Sequence, residues 1–164
     1  MNKAYKKAIF FLILVTGIVF CGSGCSSEQN RPTFQTVEIH GHIFNLELAL
    51  DNETRLQGLS DRSEIDNDGG MLFVFPYPRK TYFVMRRCLV PIDIIFLDAN
   101  GRIVQMHQMA VEPYDTKEHD LKKYPSVYPS QFVIELKGGI LSELPLTNGE
   151  LVALPLDKLK RLVR

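Results

Sequence analysis

The sequence predicts a mainly β domain with short helices, a compact barrel-like or curled antiparallel sheet in a single domain. Three observations lead there. Apolar residues recur with period two in short runs such as "TFQTVEI" and "IFNLELAL". The runs are separated by tight-turn residues, among them His40-Gly41-His42, Asp98-Ala99-Asn100-Gly101 and Asn148-Gly149. Helical signals are brief, which favours sheet over bundle.

The elements follow in order. A strand from Thr33 to Ile39 turns at His40-Gly41-His42 into a second strand ending near Leu50. The His-x-His pair resembles a metal clip, but with glycine at a strand reversal it reads as a hairpin turn. Asp51 and Asn52 are placed to cap a helix from Glu53 that Gly58 ends after about two turns. "DRSEIDNDGG" reads as a solvated loop, because Glu64, Asp66 and Asp68 lack the remaining spacing of a calcium loop. "MLFVF" is a strand stopped by Pro76, and Tyr82 to Met109 is the densest strand region.

Within that region Asp98 to Gly101 form a three-residue hairpin loop, whose register sets Asp93 opposite His107 and gathers Ile92, Ile94, Phe96, Val104 and Met106 on one face. A polar loop follows Glu112-Pro113 and carries Tyr124-Pro125-Ser126 and Tyr128-Pro129-Ser130. Strand "QFVIEL", a turn of helix "ILSEL" after Gly138-Gly139, a last strand "ELVALPL" and a basic helix capped by Asp157 complete the chain.

The first 30 residues have another character. Lys3, Lys6 and Lys7 precede an uncharged, largely apolar run from Ala8 to Phe20, and small residues lead to Cys25. That order is a secretory signal, and the run is too short for a membrane span of roughly 20 residues. Gly22-Ser23-Gly24-Cys25 resembles the lipobox of bacterial lipoproteins, with Gly22 where a large apolar residue is usual. The expected organisation is a signal peptide over residues 1–24, a tether over 25–33 and a β domain over 34–164, lipidated at Cys25 and exported to the cell envelope on its periplasmic or extracytoplasmic face. A plain signal peptide without lipid is the alternative.

Of 19 basic and 19 acidic residues, three lysines leave with the signal, so the mature chain has 16 basic against 19 acidic and a net charge of −3. No clustered positive surface calls for a nucleic acid. Of three cysteines only Cys88 lies in the domain, so there is no disulfide framework, and a free thiol in an oxidising compartment has to be buried or used.

The order of motifs is similar to one known family. Gly58-Leu59 with Arg62, "GMLFVF" from Gly70 to Phe75, Met85 followed by "PIDIIFLDANGRIV", "VIELKGG" and "LTNGELV" resemble the DUF192 (UPF0127) family over about residues 35 to 155. The resemblance implies a compact, mostly β fold in proteins often exported or lipid-anchored, and it implies no activity. Many relatives resemble Trp-Met-Lys-Asn-Thr where this chain has Val84-Met85-Arg86-Arg87-Cys88, so the thiol and second arginine are a variant.

Three constellations could carry chemistry. Asp93 is flanked by Ile92, Ile94 and Ile95, and an ionised carboxylate there needs a partner, with Arg62, Arg86, Arg87 and His107 as candidates. The expectation is a buried clamp that fixes register; the alternative is an Asp93–His107 acid/base pair of a small hydrolase or isomerase. Met85, Cys88, Met106, His107 and Met109 offer the soft ligands that select Cu(I), making copper the alternative to no cofactor. Tyr124 and Tyr128, stiffened by proline, could present rings to a peptide or saccharide, with Glu112, Arg86 and Arg87 as further binding candidates. The function expected is a lipid-anchored extracytoplasmic binding or accessory module, partnered by the membrane and an envelope protein, peptide or saccharide.

Overall fold

The computed structural model describes residues 33–163. The signal segment, Cys25 and nearly all of the tether lie outside the described residues. Strands β1 (Phe34–Ile39) and β2 (His42–Ala49) form the first hairpin, turning at His40 and Gly41 with φ of 50° and 78°. Helix α1 (Asn52–Gln57) leads to β3 (Gly69–Arg79). Short β4 (Tyr82–Phe83), then β5 (Ile92–Leu97) and β6 (Ile103–Met109) follow. Short β7 (Tyr124–Pro125), β8 (Ser130–Lys137), α2 (Ile140–Glu143) and α3 (Leu156–Leu162) complete the order.

The main sheet has six strands in the order β1-β2-β3-β8-β5-β6, and β4 pairs with β7 alone. The mainly β class holds, but the sheet is mixed. β2 and β3 run parallel because α1 and its loop carry the chain back to the same end; all other neighbours are antiparallel. Its strand order leaves β1 and β6 as edges, so among the described residues the barrel-like or curled sheet expected is not a closed barrel.

Both faces of the sheet are covered, and this explains why β5 and β8 are buried almost throughout. One face packs Leu46, Leu72, Ile95, Phe132 and Ile134 against Leu144, Val152 and Leu159 from the C-terminal segment. The other packs Phe73, Ile92, Ile94, Phe96 and Val133 against Leu59, Ile65, Met85 and Tyr124 from the loops. Among the described residues no helix is long and apolar enough to cross a membrane.

Local expectations fare unevenly. Asp51 caps α1 as expected: its Oδ1 accepts from Thr54 N at 2.8 Å, and Gly58 ends the helix at φ 51°. β3 runs through Pro76 and Pro78 to Arg79 instead of stopping, because its register breaks between Val74 and Arg79, where no ladder donor is demanded. There Gln131 Nε2 donates to the carbonyls of Phe75 and Pro76 at 3.1 and 3.3 Å. The expected last strand is reduced to one bridge, Arg102 to Leu151. α3 begins after Pro155, with Asp157 inside its first turn instead of at the cap.

The β5–β6 hairpin has the expected three-residue loop. Asp98 N donates to Arg102 O at 2.9 Å, and Gly101 closes the turn at φ 80°. One residue later the register slips: Leu97 pairs with Ile103 but Phe96 with Gln105, leaving Val104 as a bulge. Asp93 therefore faces Gln108 and not His107. The bulge also sends Met106 to the α2–α3 face, whereas Ile92, Ile94 and Phe96 stay on the loop-covered face.

Candidate functional site

Asp93 is 1% exposed, and among the described residues neither an arginine nor His107 reaches it. Its Oδ2 accepts from Gly139 N at 2.9 Å and Leu141 N at 2.7 Å, tying β5 to the first turn of α2. Burial pushes its carboxyl above the usual range, against the lowering pull of those two donors. The expected clamp exists, but its partners are backbone amides. His107 sits on the opposite face, its Nε2 2.9 Å from Pro125 O and its ring edge-on to Phe96 and Tyr124. The acid/base dyad is thus not assembled, because the bulge at Val104 turned the pair onto different faces. Asp93→Ala strands two amide donors and is expected to cost about 2 kcal/mol, with Asp93→Asn, which keeps an acceptor, costing less than half of that. Urea unfolding curves check this; equal midpoints for Asp93→Ala and the parent would refute the clamp.

The arginines that were candidates for Asp93 are committed elsewhere. Arg62 forms a fork with Glu47, one arm at 2.7 Å, and Arg87, at φ 50°, pairs with Asp61. Arg86 binds both oxygens of Glu118 at 2.6 and 2.7 Å and donates to Leu56 O at 3.1 Å. It pins the long polar loop to the end of α1. Glu112 closes that same loop by accepting from Lys122 N at 3.2 Å. Tyr124 is buried, its hydroxyl oxygen accepting from Ala110 N, whereas Tyr128 is exposed.

The sulfur ligands also divide. Residues 84–91 are irregular, not strand, and a turn from Met85 O to Cys88 N folds both sulfurs into the buried cluster that holds Met109. Met106 is across the sheet. Among the described residues no three His, Cys, Asp or Glu side chains gather as a metal group. Burial pushes the Cys88 thiol up to about 12, so it stays protonated, 3.5 Å from Arg86 O. Of the two fates open to a free thiol, burial is the one observed.

A site that sequence reasoning missed lies beside Cys88. A cavity of about 530 Å³ opens between α1, the end of β3 and the segment around β4. Phe73, Phe75, Tyr82 and Phe83 supply aromatic wall, Arg55, Arg79 and Arg86 stand in its lining, and Cys88 and Glu135 are buried members of it. Phe83 meets Phe73 edge-to-face at 5.0 Å and Phe96 at 5.6 Å, which fixes the wall. Glu135, central on β8, is 4% exposed, and its carboxyl makes no hydrogen bond to any described residue. Its Oε2 comes within 3.8 Å of where a side chain on Gly58 would begin, so glycine at the helix end leaves that oxygen open to the cavity. Burial pushes the Glu135 carboxyl up to about 8; the field of Arg62 opposes this but loses, because Glu47 already engages that guanidinium. At neutral pH the group is mostly a carboxylic acid, able to donate as well as accept.

The signal for Glu135 was in the sequence, since "FVIEL" sets an acid in a strand apolar on both sides, as "IDIIF" does for Asp93. Alternation assigns Gln131, Val133 and Glu135 to one face, and nothing local says that α1 and the loops cover that face.

Known proteins agree with this architecture. Residues 35–154 match the family DUF192, described as "Uncharacterized ACR, COG1430". A crystal structure of a candidate transcription regulator from Sinorhizobium meliloti 1021 is similar, with a TM-score of 0.61 and 28% identity over 72% of this chain and 89% of that one. A protein of unknown function from Novosphingobium aromaticivorans DSM 12444 is similar at a TM-score of 0.62 and 30% identity, over 73% of this chain and 82% of that one. No curated protein matches the chain.

Proposed function

The chain belongs to the DUF192 family, and from that premise we propose that it is a lipid-anchored extracytoplasmic binding module whose ligand enters the cavity beneath α1. One observation carries the reading: a nearly buried carboxyl, without a hydrogen-bond partner among the described residues, lining an open cavity of small-molecule size. Desolvation raises that carboxyl with no hydrogen bond among the described residues to offset it, and a perturbed acid lining a cavity marks a candidate functional site. The lipobox-like Gly22-Ser23-Gly24-Cys25 supports anchoring, and the net charge of −3 expected after cleavage favours a small ligand over nucleic acid. The regulator description of the Sinorhizobium relative is the competing reading for this chain; it would call for a basic surface, whereas Arg62, Arg86 and Arg87 near α1 are each paired with a carboxylate.

Two measurements test the reading. Labelled palmitate is expected to enter the full chain in a bacterial host and not Cys25→Ser; an unlabelled, cytosolic parent would refute the anchor. Native mass spectrometry of the full chain after exposure to envelope metabolites is expected to show a bound small molecule that Gly58→Trp, which fills the cavity, excludes. Identical spectra for the two chains would refute the cavity as the site.

A further inference from the structure

Five arginines lie around α1, and their partners sort them into two groups. Arg62, Arg86 and Arg87 each grip a carboxylate. Arg55 and Arg79, both lining the cavity, grip none among the described residues. Arg55 spends its guanidinium on neutral oxygens, donating to Leu50 O at 2.8 Å, Val74 O at 2.9 Å and Asn52 Oδ1 at 2.9 Å. The Arg79 guanidinium has no hydrogen bond or ion pair to any described residue. Both guanidinium carbons nevertheless stand 5.5 Å from the centroid of the same ring, Phe75.

Two like charges drawn to one aromatic ring repel each other: the Arg55 guanidinium, lowered chiefly by burial, is lowered further by the charge of Arg79, and a bound anion would offset that repulsion. The acid groups that could supply one within the cavity do not. Glu118 is taken by Arg86, and Glu135 at the floor is mostly protonated at neutral pH. Asp51 lies near Arg55 but is not in the lining, and its carboxyl is occupied by the capping contacts to Thr54. The cavity is therefore positive at its mouth, aromatic along its wall and furnished with a neutral donor at its floor.

We infer that the cavity takes a small organic oxyanion with a flat apolar body. Its carboxylate or phosphate sits against Arg79 and Arg55 and its ring lies along Phe73 and Phe83, while an oxygen at the far end accepts from the Glu135 carboxyl. Arginine suits the oxyanion because its planar fork matches two oxygens at once. Arg55 is held by its three neutral acceptors and so is preorganised, whereas exposed Arg79 closes over the anion. This rests on the cavity being a ligand site, and names the chemistry it selects.

The test uses the full-length chain in detergent micelles and four probes: benzoate, phenyl phosphate, benzamide and inorganic phosphate. Amide chemical shifts are followed by NMR. Benzoate or phenyl phosphate is expected to shift residues around Phe75, Phe83 and Glu135 saturably, at least about tenfold more tightly than benzamide or inorganic phosphate. Arg79→Gln is expected to weaken that binding by at least about tenfold, and because Arg79 is exposed at the end of β3 its unfolding midpoint should match the parent's. Benzamide binding as tightly as benzoate, or an unchanged affinity in Arg79→Gln, would overturn the oxyanion class and leave the cavity a binding site. Inorganic phosphate binding as well as phenyl phosphate would reduce the site to an adventitious ion only and overturn the class equally. No saturable shift with any probe would overturn both this inference and the binding reading.

Discussion

Glu135→Gln is expected to abolish a loss of stability that the parent chain suffers between about pH 5 and pH 9. The sign follows from where the proton sits. Below the ordinary glutamate value of 4.5 both folded and unfolded chains hold it, and the group contributes no pH dependence. Between 4.5 and about 8 the unfolded chain has released the proton while the folded chain keeps it, so each rising unit favours unfolding. At ~1.4 kcal/mol per unit the parent loses on the order of 3–5 kcal/mol across that window, then levels off above the folded value. Glutamine cannot ionise, so the variant's curve lacks this slope whatever constant penalty its amide carries. Urea denaturation at one-unit intervals from pH 5 to pH 9 reads it out, every other titrating group being common to both chains. Parallel curves for the two chains would mean that Glu135 is ionised in the folded state, and the donor role at the cavity floor would fall with it.

Gly70→Ala is expected to prevent folding at 37 °C or to cost upwards of about 4 kcal/mol, a size reserved for a few mechanisms of which backbone collision is one. Gly70 sits in β3 between Leu46 of β2 and Leu136 of β8, at φ 149°. A Cβ there would lie 2.2 Å from the carbonyl oxygen of Glu135 and 3.1 Å from the side chains of Leu46 and Leu136. The obstacle is backbone of a central strand, so relief means parting β3 from β8. Gly41→Ala separates this from the cost of a positive φ alone: at φ 78° nothing lies within 4 Å of its Cβ, and only about 1–2 kcal/mol is expected. Soluble yield and urea midpoints of both variants give the comparison. A Gly70→Ala chain as stable as Gly41→Ala would show that the central strands can part cheaply.

Both predictions turn on β8, and the sequence foreshadowed them differently. "VIELKGG" showed a strand with an acid inside it. It could not show which face that acid would take, because a strand's alternation says only that two sets of residues point opposite ways. On a sheet packed on one face Glu135 would be wet. Here α1, Leu59 and the loops from Met85 to Tyr124 cover the face, and the same alternation makes it the floor of a cavity.

Asp93 teaches the complementary lesson. That it would be buried and would clamp something could be argued from its three isoleucine neighbours alone. Its partner depended on a one-residue bulge at Val104, which no turn signal announces, and on the amides of Gly139 and Leu141, more than 40 residues away in the chain. A slip of one residue exchanges the faces of a whole strand, and that is why the proposed dyad dissolved and Met106 parted from Met109.

What the sequence determined by itself was local: the His40-Gly41 hairpin, the Asp51 cap with Gly58 as stop, the three-residue loop at Asp98, the mainly β class and the family. Each rests on contacts within a few residues, where side-chain chemistry and φ preferences act without help from the rest of the chain. Only the tertiary structure decided that β2 and β3 run parallel and that the sheet stays open with both faces covered. It alone gathered Arg55, Arg79, Phe75 and Glu135 around one cavity. Those outcomes rest on pairings across long stretches of chain, where the energy of burying a face is settled by what packs against it and not by the residues that form it.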